Sequence, residues 1–282
     1  MKGVLRDDSR EPEKWWFVVR KYPPAIGGME LLSFNVISRL SARHPVEVLP
    51  MRMPAWMLPW FIVSSAVRLA WACVKGDISL LHVGDPVLAP LARVARLFGI
   101  PCSVTIHGLD IVYDRGFYPL WRKLFLRGFD AYICISDATR LAALRLQIPR
   151  DRIHVIGVGI DIVEQPSGPV ARDTTVILFV GRLVRRKGVA WFVAEVLPAL
   201  ATRHADVKLV VLGDGPERRA IAASATSHGV GDRIVWLGAR GDDEKASWFA
   251  TAAVCVMPNI AVAGDMEGFG IVALEAAAAG CP

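Results

Sequence analysis

The hydrophobic positions of this chain fall into short apolar runs that alternate with longer amphipathic stretches. The runs are rich in β-branched residues, as strands are, and the stretches between them repeat apolar positions every three or four residues, as helices do. Strand and helix in alternation favour parallel sheets with helices on both faces. The predicted strands are 15–20, 46–49, 78–83, 102–106, 131–135, 153–156, 175–180, 208–212, 234–237 and 254–257.

One stretch, residues 157–174, lacks either periodicity and is rich in glycine and proline. Such a stretch is typical of a boundary between two folded domains. The chain of 282 residues, 53% of them hydrophobic, is long enough to form two cores. We therefore predict a polar tail at 1–14, a first α/β domain at 15–164 and a second at 165–282.

The longest apolar stretch, 53–74, is long enough to raise the question of a membrane-spanning helix. Pro59 and Arg68 interrupt it, and a membrane-spanning helix needs roughly 20 apolar residues, so we predict no span. Five apolar positions recur at helical spacing and predict a helix packed on the sheet: Trp60, Val63, Val67, Trp71 and Val74. The alternative left open is contact of Trp56 and Trp60 with a bilayer interface.

The net charge of +6 lies entirely within the first 165 residues. Such an asymmetry suits an anionic surface, and the helix predicted at 118–129 is basic and amphipathic, with Arg122, Lys123 and Arg127. Since no nucleic-acid-binding motif is recognisable, we expect an anionic membrane surface as the partner and no nucleic acid.

The five cysteines are widely spaced and form no Cys-x-x-Cys pair. An odd number in mostly apolar contexts predicts buried thiols in a reducing compartment. The polar first fourteen residues do not resemble a signal peptide. We expect a cytoplasmic protein, with a peripheral position at the inner face of the plasma membrane as the alternative.

Candidate chemistry follows three of the predicted strands. His107 comes directly after strand 102–106, at the strand end where parallel sheets bind ligands; a lone histidine there is either structural or functional. Gly27 and Gly28 precede a helix, which suits either simple turn geometry or close approach to a phosphate. The turn after strand 175–180 carries Arg182 and Lys187, either a basic surface turn or a diphosphate site.

The last stretch of the chain combines glycines and carboxylates at the start of a helix. Gly268 and Gly270 let the loop turn into that helix, whose first amides can bind an anion. Glu267 and Glu275 stand eight residues apart, a little over two turns, so both can face one crevice. Carboxylates accept hydrogen bonds from sugar diols. The alternative is a solvated helix that carries two acids.

In order and spacing these segments resemble the retaining GT-B glycosyltransferases of family 4 along nearly the whole chain. The matching segments are 27–30 (GGME), 106–110 (IHGLD), 135–136 (IS), 157–161 (GVGID), 179–183 (FVGRL) with 187–188 (KG), 212–216 (LGDGP) and 267–275 (EGFGIVALE). The last is the E-x7-E element of that family. The resemblance implies two Rossmann-like domains that face a cleft, the first on the acceptor side and the second binding a nucleotide-diphosphate sugar.

The resemblance also implies roles for individual residues. Arg182 and Lys187 would hold the diphosphate. Glu267, with the amides of Gly268, Phe269 and Gly270, would bind sugar hydroxyls and phosphate, and Glu275 would accept from the ribose. Gly27 and Gly28 would close over the diphosphate from the first domain, His107 would lie by the transferred sugar, and Arg240 would border the base.

The implied reaction moves a hexose from the donor to a lipid-linked or polysaccharide acceptor with retention of configuration. Cations in place of a metal stabilise the leaving group, so no metal site and no cofactor are expected. The family continues beyond residue 282, so we expect an incomplete second sheet. Two alternatives remain: a non-catalytic, truncated protein that binds membranes or sugar nucleotides, and a related GT-B epimerase, which the Arg182–Lys187 turn and the E-x7-E spacing disfavour.

Overall fold

A computed structural model of the chain describes residues 14–24, 27–160 and 171–282. It divides into two compact units between Val158 and Gly159, and each unit is described by itself. The predicted boundary at 164/165 and all but one residue of the predicted tail lie outside the described residues, so both stay predictions. The exception is Lys14, which begins the first strand rather than ending a tail.

The first unit is built on a parallel sheet of six strands in the order β2-β1-β3-β4-β5-β6. These strands are β1 Lys14–Val19, β2 Val46–Pro50, β3 Ile78–Val83, β4 Cys102–Ile106, β5 Ala131–Cys134 and β6 Ile153–Val155. Each begins and ends within two residues of the predicted run. Its helices are α1 Gly28–Ser41, α2 Leu58–Lys75, α3 Pro90–Leu97, α4 Leu109–Val112, α5 Tyr118–Phe125 and α6 Asp137–Arg145.

The second unit is built on a parallel sheet whose described strands have the order β10-β7-β8-β9. These are β7 Asp173–Val180, β8 Lys208–Leu212, β9 Ile234–Gly238 and β10 Ala252–Cys255. The helices are α7 Val189–Trp191, α8 Leu197–Arg203, α9 Arg218–Ser227, α10 Asp242–Thr251 and α11 Ile271–Ala278, with a π turn at Phe192–Val196 between α7 and α8. The predicted pair of parallel-sheet α/β domains is therefore confirmed.

Strand β7 shows why the second sheet is covered on both faces. Ile177 and Phe179 belong to the core beneath α7, α8 and α9, whereas Leu178 belongs to the core beneath α10 and α11. Alternate side chains of a strand point to opposite faces. A strand that is apolar at successive positions is therefore buried on both sides, as central strands of parallel sheets are.

The predicted orientation of α2 is wrong. Its buried residues are Phe61, Ser65, Leu69 and Ala72, and the apolar positions predicted to pack on the sheet face outward. Six apolar side chains form one exposed stripe, each between 55% and 78% exposed: Trp56, Trp60, Val63, Val67, Trp71 and Val74. Pro59 does not break the helix, because it occupies the first turn, where a proline costs no hydrogen bond.

By length and composition, the helical stretch Ala55–Lys75 could cross a membrane. An 18-residue segment of it has a mean hydropathy of 1.5, and 22% of that segment is buried. Its inner face nevertheless packs in the unit, with Phe61 and Leu69 buried and α3 in contact. A helix of this kind either lies along a membrane or meets another surface.

The basic helix predicted at 118–129 is shorter than expected. Helix α5 ends at Phe125, and a 3₁₀ turn, Leu126–Gly128, follows. Arg122 is not a solvated cation, because its guanidinium donates to the carbonyls of Ile111 and Tyr113.

All five cysteines are free thiols, and Cys102, Cys134 and Cys281 are buried as predicted, whereas Cys73 and Cys255 are only partly buried. Burial raises the pKa of Cys102 to about 12 and that of Cys134 to about 11. Neither thiol is therefore a ready nucleophile.

Candidate active site

The turn after β7 in the second unit is shaped by backbone packing. The chain leaves β7 at Gly181 and forms a 3₁₀ turn at Arg185–Lys187, which Gly188 ends with φ 66°. A Cβ atom on Gly188 would lie 1.9 Å from the carbonyl oxygen of Pro258, so only glycine allows the two segments to meet. The amide of Ile260 donates to the carbonyl of Arg186. The turn and the loop that leads to Glu267 are therefore held together.

Lys187 and Glu267 form the tightest ion pair of this region. The Nζ atom of Lys187, a residue only 8% exposed, lies 2.6 Å from Oε2 of Glu267. Lys187 and Glu267 belong to separate sequence motifs, 80 positions apart, and the fold brings them into contact. The two groups are an ion pair at close range, and Oε2 of Glu267 has no hydrogen-bond partner of good geometry among the described residues.

Arg186 and Asp265 extend this pair into a cluster of four charges, and sequence reasoning missed both. Arg186 lies 3.5 Å from Glu267 through Nε and 3.4 Å from Oδ2 of Asp265 through a terminal nitrogen. The Nε atom of Arg186 and Oδ1 of Asp265 are buried without a hydrogen-bond partner in the described part of the chain. A buried donor or acceptor without a hydrogen bond destabilises the fold unless a ligand or water satisfies it.

Arg182, the other predicted diphosphate ligand, is exposed, and the structure gives its side chain no contact with Glu267. Its position is nevertheless fixed by the backbone, because the next residue, Leu183, is fully buried and its amide donates to the carbonyl of Asp214. The structure therefore assembles Lys187 with Glu267 and leaves the predicted role of Arg182 untested.

Helix α11 begins directly after Gly270, as predicted. Gly270 adopts φ 84°, in the left-handed region, and no side chain among the described residues caps the helix. Glu267, the partner of Lys187, stands three residues before Gly270 on the segment that enters this helix. A helix start carries a partial positive charge and free amides, which suit an anionic ligand.

Glu275 is paired with a second cation, Lys245 of α10. Nζ of Lys245 lies 2.7 Å from Oε1 of Glu275 and 2.9 Å from Oδ1 of Asp242. These bonds raise the pKa of Lys245 although burial opposes the shift. Glu275 is thus held by one oxygen near the start of α10. Lys245 could have been singled out from the sequence as a partner for a carboxylate, because it is the single cation of α10.

Arg240, predicted to border a nucleotide base, folds back on its own loop. Its Nε donates to the carbonyl of Leu237 and lies 3.6 Å from Glu244. Both bonds are at a half-exposed position, where they contribute little. The predicted role of Arg240 remains a prediction.

His107 lies at the carboxyl end of β4 in the first unit, as predicted. It is buried, and Nε2 lies 2.8 Å from the carbonyl oxygen of Gly84, so Nε2 carries a hydrogen and donates. Asp110 accepts from the backbone amides of His107 and Gly108 and holds the turn. Burial raises the pKa of the Asp110 carboxyl, and these amides oppose the shift.

The same edge of the first sheet holds an ion pair that sequence reasoning missed. Asp85 is 1% exposed; its carboxylate accepts from the amide of Val87 and from Nε of Arg20, at 3.1 Å. Arg20 follows β1 and Asp85 follows β3, neighbouring strands of the sheet. Breaking a buried pair leaves an uncompensated charge, so this pair fixes the edge beside His107.

Gly27 and Gly28 begin α1, as predicted, beside residues 25 and 26, which lie outside the described part. Gly27 caps the helix in an extended conformation, and the Glu30 carboxylate folds back towards it. Glu30 is 7% exposed and pairs with Lys21 at 3.4 Å. In the described ranges no three His, Cys, Asp or Glu side chains group as metal ligands do.

Family profiles match both units. The first unit matches the Glycosyl transferase 4-like domain over residues 22–159, and the second matches Glycosyl transferases group 1 over residues 174–282. The two matches together cover most of the chain.

Curated relatives include sugar transferases. The chain is 30% identical over 259 residues to the GDP-mannose-dependent alpha-(1-6)-phosphatidylinositol monomannoside mannosyltransferase of Mycobacterium tuberculosis, with 85% of this chain and 63% of that protein covered. It is 27% identical over 283 residues to the 2-deoxystreptamine glucosyltransferase of Streptomyces kanamyceticus, with 89% and 70% covered. The chain thus spans 63% of the length of the mannosyltransferase.

Solved structures share the fold. Sucrose-phosphate synthase from Thermosynechococcus elongatus superimposes with a TM-score of 0.73 at 20% identity, over 96% of this chain and 80% of that one. Anabaena HepE in complex with UDP and glucose gives 0.71 at 18% identity, over 96% and 79%. Two parallel-sheet units, two matching family profiles and these structural neighbours agree, and the chain belongs to the GT-B glycosyltransferases of the family 4 kind.

Proposed function

We propose that this chain transfers a hexose from a nucleotide-diphosphate sugar to a lipid-linked or polysaccharide acceptor with retention of anomeric configuration. The observation that carries the proposal is the contact of Lys187 with Glu267 beside the start of α11. It brings a buried cation, a carboxylate and helix amides to one place. A diphosphate needs the cation and the amides, and a sugar hydroxyl needs the carboxylate.

The proposed reaction breaks the bond between the anomeric carbon and the β-phosphate oxygen, and the nucleoside diphosphate leaves with the electron pair. The acceptor hydroxyl attacks on the face that the diphosphate leaves, and its proton passes to the departing phosphate. Lys187 and Arg182 stabilise the charge that builds on the leaving group. Glu267 orients the sugar, and Glu275, held by Lys245, accepts from the ribose.

The bound ligand would reorganise the cluster of four charges. A diphosphate drawn to Lys187 competes with Glu267, whose carboxylate is then free to accept from sugar hydroxyls. The unused Nε of Arg186 and Oδ1 of Asp265 can donate to and accept from the same ligand. The ion pairs thus keep the charged groups in position in the absence of donor.

Donor binding and turnover test the proposal separately. UDP, GDP and ADP are compared by thermal shift, since a ligand at about 100 times its Kd stabilises by about 2.7 kcal/mol. The mannosyltransferase relative is named for GDP-mannose and HepE was solved with UDP, so both bases are tested. Labelled donors with lipid and glycan acceptors then give product. Binding without product would favour the non-catalytic alternative, and no binding to any of the three would contradict the proposal.

We further propose that the acceptor is met at an anionic membrane and that α2 lies along the bilayer. The exposed stripe of α2 contains three tryptophans, which favour the lipid–water interface. Helices α2, α3 and α5 carry cations and no Asp or Glu. Arg93 and Arg96 of α3 donate to the carbonyls of Leu124 and Gly128, so α3 bridges α2 and the α5 region. This surface combines insertion with attraction to anionic lipid.

Replacing Trp56, Trp60 and Trp71 together by serine is expected to lower partition onto anionic vesicles by at least about tenfold. Full burial of one large apolar side chain contributes about 1.5–3 kcal/mol, and 1.4 kcal/mol is a factor of ten. Vesicle sedimentation measures the effect, and the Trp→Phe triple variant is expected to retain most of the binding. Equal partition of the serine variant and the wild type would rule out α2 as the contact.

A further inference from the structure

One cavity in the first unit is lined by none of the candidate site residues described above. It has a volume of about 260 Å³ and lies between the end of α5 and the turn that follows α6. Leu126 and Ile148, both buried, contribute apolar walls, and Lys123, Arg127, Arg145 and Gln147 contribute exposed polar ones. None of its lining residues is Asp or Glu.

The cations of this cavity are poorly compensated. Lys123 and Arg145 have no ion pair or hydrogen bond from their side chains to any residue that the structure describes. Arg122 also lines the cavity, but its guanidinium is bonded to backbone carbonyls and lies 3.9 Å from Asp114. The contrast with the second unit is clear, since Arg186 and Lys187 face Asp265 and Glu267 there.

Hydrogen-bond donors dominate the polar wall. Arg127 donates to Oε1 of Gln147 at 2.9 Å, which leaves the amide NH₂ of Gln147 and the other guanidinium hydrogens for a ligand. With the ammonium of Lys123 and the guanidinium of Arg145, the side chains offer donors and almost no acceptor. A ligand that carries several acceptors and negative charge fits this wall, and phosphate is such a group.

The helix ends do not account for these charges. Lys123 stands in the last turn of α5 and Arg145 in the last turn of α6, where cations offset the helix dipole. Each helix end is equivalent to roughly half a negative charge, so two ends balance about one cation. Lys123, Arg127 and Arg145 supply three.

We propose that this cavity is a phosphate-binding site, distinct from the donor site of the second unit. The phosphate is a monoester or diester that reaches the cavity either as a lipid headgroup or as a free soluble anion. The cavity has room for a phosphate with a small attached group. Leu120 and Leu124 of α5, each nearly half exposed, lie on the helix that borders it, where acyl chains of a bound lipid would pass.

The test uses the full chain and compares Lys123→Gln/Arg145→Gln with Arg203→Gln/Arg219→Gln. The control removes the same charge from exposed positions on α8 and α9 of the second unit. Lys123 and Arg145 stand in last helical turns, so the cavity variant is expected to melt slightly lower than the control variant. Binding is therefore compared well below the melting transition of both variants. The probes are inorganic phosphate, soluble dihexanoyl phosphatidic acid, and phosphatidylcholine vesicles with and without phosphatidic acid.

The cavity variant is expected to bind the phosphate-bearing probes at least about tenfold more weakly than the wild type, and the control variant no more than about twofold. If the cavity variant loses binding to inorganic phosphate, a free anion is enough to occupy the cavity. Loss confined to the lipid probes identifies a headgroup. Equal affinities of the cavity and control variants for every probe would overturn the proposal, because general surface charge would then account for any binding.

Discussion

Replacing Lys187 by alanine is expected to lower turnover by about a hundredfold, the largest effect on activity of any single change considered. One charge-assisted contact to a developing negative charge is worth on the order of 3 kcal/mol in a transition state. Lys187 is buried and in contact with Glu267, so no mobile surface cation can replace it. Steady-state kinetics with the donor found by thermal shift measure the loss.

The fall is expected mainly in kcat, because the charge on the leaving group grows as the sugar departs. Arg182→Ala is expected to act in the same direction, whereas Arg203→Ala, at an exposed position on α8, leaves turnover unchanged. Near-normal turnover in both Lys187→Ala and Arg182→Ala would break the assignment of the diphosphate site.

Replacing Gly188 by alanine is expected to cost the second unit roughly 3–5 kcal/mol in free energy of unfolding. A left-handed non-glycine residue alone costs of order 1–3 kcal/mol. At Gly188 the new Cβ would also lie 1.9 Å from the Pro258 carbonyl oxygen, a backbone atom that cannot move without shifting the segment before Glu267. Urea unfolding followed by circular dichroism measures the change.

Gly229 provides the matched control, because it has φ 68° against 66° for Gly188 and a Cβ there would meet nothing within 4 Å. Gly229→Ala therefore reports the conformational cost alone, of order 1–3 kcal/mol. If the two variants lost the same stability, the close approach of Gly188 to Pro258 would be without energetic consequence.

The strands were predictable because parallel-sheet strands carry their signal locally. Residues 176–180 are apolar at every position, and Gly181 marks where the run ends. The orientation of α2 was not predictable, because the residues of its buried face and of its exposed face both recur at helical spacing. Phe61, Ser65, Leu69 and Ala72 are together less bulky than the tryptophans and valines of the other face. Periodicity identifies a stripe, but only packing decides which stripe is buried.

The site was predictable where one motif holds a residue in place and not where the contact crosses the chain. Lys187, Glu267 and the start of α11 come from recognisable segments. Arg186 and Asp265 are 79 positions apart and Lys245 and Glu275 are 30 apart, so no local pattern pairs them. Arg20 and Asp85, 65 positions apart, meet because β1 and β3 are neighbours in the sheet.

The assignment of Lys187 to the leaving diphosphate is tested by a crystal structure of the chain with the nucleoside diphosphate that most raises its melting temperature. We expect the β-phosphate within hydrogen-bond distance of Nζ of Lys187 and of the amides that begin α11, with Glu267 released from that lysine. A diphosphate bound elsewhere, with the Lys187–Glu267 pair intact, would contradict that assignment.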